Sequence, residues 1–121
     1  MPSHIDIELA ESLASVTIAA SASVSNPVYL GQRSIATIGM PATWTAAVLT
    51  FQASFDGTNW QNVYVGGAEY SETVVADTAQ PPASAYLQFP YVRIRSGTTL
   101  TPVTQAAART INLMLRRFVV K

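Results

Sequence analysis

The residues able to do covalent or metal chemistry are few. The chain of 121 residues has no cysteine and one histidine, His4. That removes the thiolate and imidazole sets of zinc and iron–sulfur sites, thiol nucleophiles and disulfide frameworks. His4 with a serine would supply a base and a nucleophile, but nothing nearby in sequence orients the imidazole. Glu69, Glu72 and Asp77 offer carboxylates for glycoside hydrolysis, which needs two on opposite sides of a bond. They cluster beside turn signals, and the plainer reading is solvated turn residues. Asp56, Asn59 and Asn62 offer oxygens for calcium without the spaced glycine and terminal glutamate of a calcium loop. Turn chemistry accounts for them. The expectation is a non-enzyme with no catalytic residues, no metal and no cofactor.

Binding chemistry is better represented. Trp44, Trp60 and Tyr64, with Tyr70 and Tyr91, would suit a platform on which sugar C–H faces stack; aromatics on strands more often fill a core or an edge. Arg93 and Arg95 share one strand face, opposite Val92 and Ile94, and together with Arg116 and Arg117 they would suit phosphates. With a pI near 6.5, pairing with carboxylates of neighbouring subunits is the better expectation, and no nucleic-acid partner is expected.

Charge is balanced in total and polarised along the chain. Residues 1–77 hold all seven acids and only Arg33, a net −6; residues 78–121 hold six cations and no acid, a net +6. Either strands from the two parts alternate and neutralise each other within the fold, or acidic and basic faces of neighbouring copies meet. Charged residues are 12% of the chain and hydrophobic ones 49%. So little repulsion at zero net charge points to self-association.

The length fits one domain able to bury a core without staples. No apolar run is long enough to span a membrane, and no membrane partner is expected. Ala20-Ser21-Ala22 imitates a signal-peptidase site, but Asp6, Glu8 and Glu11 with no preceding cation argue against a signal peptide.

The elements that must carry these residues read as strands. Ala14, Val16, Ile18, Ala20, Ala22 and Val24 alternate with hydroxyl residues, a period of two. Ile5, Ile7 and Leu9 continue it backwards, although residues 6–15 also permit a short helix. Strands are expected at 33–40, 47–55 and 60–65, with Asp56-Gly57-Thr58-Asn59 reversing the chain between the last two. Gly66-Gly67 ends the return strand; 71–76 is a shorter strand, and Gln80-Pro81-Pro82 makes an extended crossover. Strands follow at 85–89, 91–96 and 109–118, the last with Ile111, Leu113 and Leu115 on one face. Seven or eight short strands without a long helix predict an antiparallel β-sandwich, jelly-roll-like.

Trp44, the run Leu49-Thr50-Phe51-Gln52-Ala53-Ser54, Asp56-Gly57-Thr58-Asn59-Trp60, Tyr91-Val92-Arg93-Ile94-Arg95-Ser96-Gly97-Thr98, Pro102-Val103-Thr104-Gln105 and Arg109-Thr110-Ile111 resemble, as an ordered set over 34–117, small β-sandwich virion proteins of tailed bacteriophages and prophages. The resemblance implies an accessory protein, a capsid decoration or cement protein on the outer capsid surface, with the major capsid protein as partner. It brings no catalytic residues. Residues 1–28 lie outside it and are read as an N-terminal arm and first strand ahead of a sandwich at 29–121. Ile5, Ile7, Leu9, Val16 and Ile18 are the candidate capsid-binding residues of that arm. Arg93, Arg95, Arg116 and Arg117 are the candidate intersubunit residues of a homotrimer. Trp44, Trp60 and Tyr64 remain the site for a host glycan if the chain is instead a tail- or fibre-associated carbohydrate-binding domain.

Overall fold

The computed structural model describes residues 7–84 and 87–120. Within them the chain is all-β and antiparallel. One sheet has the order β1 (Ile7–Ile18), β11 (Arg109–Val120), β3 (Ser34–Gly39), β9 (Ala79–Gln80). The other has β2 (Val28–Tyr29), β10 (Tyr91–Ser96), β4 (Leu49–Ser54), β5 (Gln61–Asn62), with β8 (Ser71–Glu72) also on β4. A small hairpin, β6 (Tyr64–Val65) with β7 (Ala68–Glu69), stands apart. The sheets share one core: Val16, Ile18, Ile38, Ile111 and Leu113 come from the first, and Leu49, Phe51, Val92 and Ile94 from the second. Period two explains why, because alternate residues of each strand point to the same face.

β1 and β11 pair over their full length, from Ile7 opposite Val120 to Ile18 opposite Arg109. The helix considered for 6–15 is therefore a strand over the part described, which starts at Ile7. The strand expected at 14–24 ends at Ile18. Ala22 N–H bonds Ala19 O at 3.0 Å and Ser21 takes a positive φ of 66°, so the chain turns over to the second sheet. There Val24 bridges Arg95, and Ser25 N–H bonds Ile94 O at 2.8 Å. Residues 7–28 are thus not an arm ahead of the sandwich: β1 and the start of β2 are built into its two sheets.

The return strand after β4 differs from the expected hairpin in an informative way. β5 pairs with Gln52 and Ala53, and β8 pairs with Leu49 and Thr50, on the same edge of β4. Together they make one strand interrupted by the β6–β7 hairpin. The interruption is stitched by Val63 N–H to Phe51 O at 3.0 Å and Tyr70 N–H to Val63 O at 2.9 Å. Gly66-Gly67, expected as an end, is the turn of that inserted hairpin, with φ of 64° and 83°. Only Ser71–Glu72 of the strand expected at 71–76 forms, and Ala79–Gln80 pairs with β3. Residues 85 and 86 of the strand expected at 85–89 lie outside the described residues, and 87–89 are not strand.

The turn after β4 is built as expected. Asp56 Oδ1 accepts the N–H groups of Thr58 and Asn59, each at 2.8 Å, and Gly57 has φ of 80°. Phe55 is 79% exposed, outside the core. The outer face of β4 is not simply wet either: Thr50 is fully buried, and Gln52 is half-buried between Asn62 and Arg93.

Two stability predictions follow from this packing. Phe51, fully buried with its ring 5.6 Å from that of Tyr70, should cost about 3–5 kcal/mol when cut to Ala, against about 1 kcal/mol for Gln52→Ala. A Cβ on Gly97, where φ is 90°, would lie 2.4 Å from Thr101 O, so Gly97→Ala should cost about 3 kcal/mol. Urea unfolding of the three variants gives all three values.

Candidate functional site

The largest unfinished feature of the backbone is the free edge of β1. Its only neighbour in the sheet is β11. On the other side Asn26 caps Thr17, taking its N–H on Oδ1 at 2.7 Å and donating its own N–H to Thr17 O at 3.2 Å. The outward backbone groups of residues 7–16 therefore have no ladder partner among the described residues. β3 pairs with β11 only as far as Arg116. Past that point, Ile7–Ala10 and Arg117–Val120 form a two-stranded ribbon. An edge of this length is a template for an added strand. On the outer face of the same sheet Leu13 is 81% exposed, opposite half-buried Met114.

A groove of about 520 Å³ lies at the foot of the ribbon, between Glu11, Ser12 and Arg117 on one side and Tyr29, Leu30 and Arg33 on the other. Arg33 holds its wall together, donating from Nη1 to Ser12 Oγ at 2.7 Å, from Nε to Leu30 O at 2.8 Å and from Nη2 to Tyr29 O at 3.1 Å. All three acceptors are neutral, so the positive charge of Arg33 remains on the groove. Arg117 is exposed beside it.

The outer face of the second sheet carries the other arginines. The Arg93 guanidinium sits 4.4 Å above the Trp60 ring and donates from Nε to Gln52 Oε1 at 2.7 Å, a stacked geometry that fixes the fork in place. Burial and the neighbouring Arg95 charge lower its pKa. Tyr29 and Tyr91 pack with their rings tilted at 54° and centroids 5.1 Å apart. Arg95 is buried. It donates to Thr50 Oγ1 at 3.0 Å, Asn62 Oδ1 at 2.9 Å, Thr99 Oγ1 at 2.9 Å and Glu69 Oε2 at 3.3 Å. Glu69 also bonds the Thr99 hydroxyl and accepts its N–H at 3.2 Å. Here the inserted hairpin is latched onto the sheet.

The sequence candidates therefore separate. Val16 and Ile18 are core residues, unavailable for docking; Ile7 and Leu9 lie on β1 in the ribbon, and Ile5 lies outside the described residues. Arg95 finds its carboxylate in Glu69 of its own chain, and Arg116 finds Glu11 at 2.9 Å. Arg93 and Arg117 have no carboxylate partner among the described residues. Trp44 is half-buried against the core with its Nε1–H on Ala47 O at 3.2 Å, Trp60 lies under Arg93, and Tyr64 stands on the β6–β7 hairpin, so the three share no ring contact. Tyr64 instead lines a groove of about 470 Å³ with Phe55, Phe89 and Gln61. His4 lies outside the described residues. Among those residues no group of three or more His, Cys, Asp or Glu is placed to hold a metal ion.

Two acidic residues read as solvated are not. Glu69 is the latch just described. Glu72 is buried, accepting from the Tyr70 hydroxyl, Ala83 N–H at 2.8 Å and Gln80 Nε2 at 3.0 Å, and it thereby ties β8 to the crossover. Asp56 stays exposed, its carboxyl held well below the usual range by the Asn59 and Thr58 N–H groups. Comparisons with protein-family models, with curated proteins and with solved structures find no match.

Burial, reinforced by Glu72, pushes the Tyr70 hydroxyl up from 10.0 to about 12. A folded-state pKa above the unfolded value gives stability that is whole below about pH 10 and lost as pH rises toward 12. Melting temperatures from pH 8 to 12 should fall more steeply for the parent chain than for Tyr70→Phe, which starts lower because Glu72 loses a donor. Parallel curves would mean that Tyr70 ionises as freely folded as unfolded.

Proposed function

We propose that this chain is a non-enzymatic structural protein of a tailed-phage virion, a decoration or cement protein on the outer capsid whose partner is the major capsid protein. The observation that carries the reading is the free edge of β1, continued into a ribbon and flanked by a groove with two cationic arginines. A capsid segment adds to that edge by main-chain hydrogen bonds, which need no particular side-chain sequence, and the groove fixes its direction. Repeated contacts by a homotrimer add through high effective concentration, so each one can be weak. The jelly-roll-like sandwich is the rigid support, and Arg93 on Trp60, with Tyr29 and Tyr91, has the residue types that dominate protein interfaces and suits the contact between copies.

A second reading, a tail- or fibre-associated domain binding a host glycan, is favoured by one feature: Phe55, Tyr64 and Phe89 line a groove beside the amide of Gln61. Aromatic faces with a nearby amide suit a sugar ring. It differs from the site read in the sequence, sharing only Tyr64 with it.

Co-sedimentation with capsids assembled from the major capsid protein of the same genome separates the two. Removal of residues 1–11 deletes the outer part of β1 but keeps Val16 and Ile18, so the truncated chain should melt within a few degrees of the parent and lose at least tenfold in capsid affinity. Phe55→Ala and Tyr64→Ala should leave capsid binding unchanged. Full decoration by the truncated chain, or retention on a glycan array abolished by Phe55→Ala, would contradict the decoration reading.

A further inference from the structure

Arg109 opens β11 in step with Ile111, Leu113 and Leu115, so its side chain starts from a core-facing position, and it is only 9% exposed. A guanidinium so far out of water is normally matched by a carboxylate. Here the ion pairs among the described residues are Arg95 with Glu69 and Arg116 with Glu11, and Arg109 has only neutral partners. Its Nε donates to Gln105 Oε1 at 3.2 Å and its Nη2 to Thr45 Oγ1 at 3.3 Å.

Those partners are already in use. Gln105 Oε1 also accepts Thr45 N–H at 2.9 Å, and Gln105 Nε2 donates to Thr45 O at 3.0 Å and to Ser96 Oγ at 2.7 Å. Thr45 Oγ1 also accepts Ala106 N–H at 3.3 Å. A guanidinium has five N–H groups and a threonine hydroxyl has one O–H. Two N–H groups of Arg109 are bonded, so three of them, and the O–H of Thr45, have no acceptor among the described residues. The fully enclosed side-chain atom left without a partner is Arg116 Nε, not an atom of Arg109. Nη1 of Arg109, which makes no hydrogen bond, is therefore not fully enclosed and reaches solvent. The result is a fixed positive charge at one end of the sandwich, with convergent donors and no negative group to receive them.

We propose that Arg109 and Thr45, held in place by Gln105, form a binding site for an oxyanion, a phosphate or a carboxylate group. The forked guanidinium takes two of its oxygens and the Thr45 hydroxyl donates to one of them. Binding supplies the counter-charge that the chain lacks at this position. The site is independent of the β1 edge and of the decoration reading.

The test is titration of the full chain with sodium phosphate, and separately with sodium acetate, at constant ionic strength. Two readouts are taken: the melting temperature, and the phosphorus NMR line of the phosphate. A site tenfold above its Kd should raise Tm by about 5 °C, saturably, and broaden the phosphate line. Arg109→Met should fold and lose both responses; Thr45→Val should keep the charge and weaken affinity about tenfold. A response to acetate and not to phosphate assigns the site to a carboxylate, and a response to phosphate assigns it to a free phosphate. The absence of a saturable response to either anion, or its retention in Arg109→Met, would overturn the proposal. If Arg109→Met does not fold, unchanged affinity in Thr45→Val overturns it instead.

Discussion

The pairing of β1 with β11 is the constraint on which the rest of the structure depends. It joins segments near the two ends of the chain over twelve residues, and its register places Val16 and Ile18 beside Ile111 and Arg109. A slip of β1 by one residue against β11 would turn Val16 and Ile18 to solvent and bring Leu13 inward. The same pairing puts β11 in the sheet interior and β1 at its border, so burying the core and leaving a long edge open are one event. Because the paired ends are far apart in sequence, this contact forms at high entropic cost, and folding is expected to be slow for a chain of this size.

Charge follows the same logic. The acids of the first 77 residues and the arginines of the remainder meet where strands from the two parts lie side by side: Glu11 with Arg116 across β1 and β11, and Glu69 with Arg95 where the hairpin folds over β10. Polarity along the chain is thus partly cancelled within the fold. What is left over is positional. Arg33 and Arg117 flank the groove below the ribbon, Arg93 lies on Trp60, and Arg109 sits at the end of the core with neutral partners. The exposed pair, Glu11 with Arg116, adds little stability; the buried latch of Glu69 and Arg95 fixes where the hairpin lies.

Much of this was legible in the sequence. Period two with Gly and Pro punctuation located β3, β4, β10 and the inward face of β11 to within a few residues, and Asp56-Gly57 marked its own turn. Local signals stopped being enough where a long-range contact decided the outcome. Gly66-Gly67 reads equally as the end of a strand and as the tip of a hairpin, and only the return of β8 to β4 distinguishes them. Arg95 and Glu69 are 26 positions apart, and the inserted hairpin that joins them cannot be read from either residue. Val16 and Ile18 show the alternation of core residues, yet lie outside the resemblance to phage proteins, which is why the sequence places them with an arm. Glu72 reads as a solvated turn residue in the sequence because burial of a charge is set by what folds over it.

The central claim is that the free edge of β1 is where the partner binds. Hydrogen–deuterium exchange of the full chain, alone and on assembled capsids, tests it directly. The amides of residues 7–15 that face away from β11 should exchange quickly in the isolated protein and at least tenfold more slowly on the capsid, while amides of β10 and β4, already in the sheet interior, hardly change. If β1 exchanges equally fast in both states while another surface of the sandwich becomes protected, the partner docks elsewhere and the account is wrong.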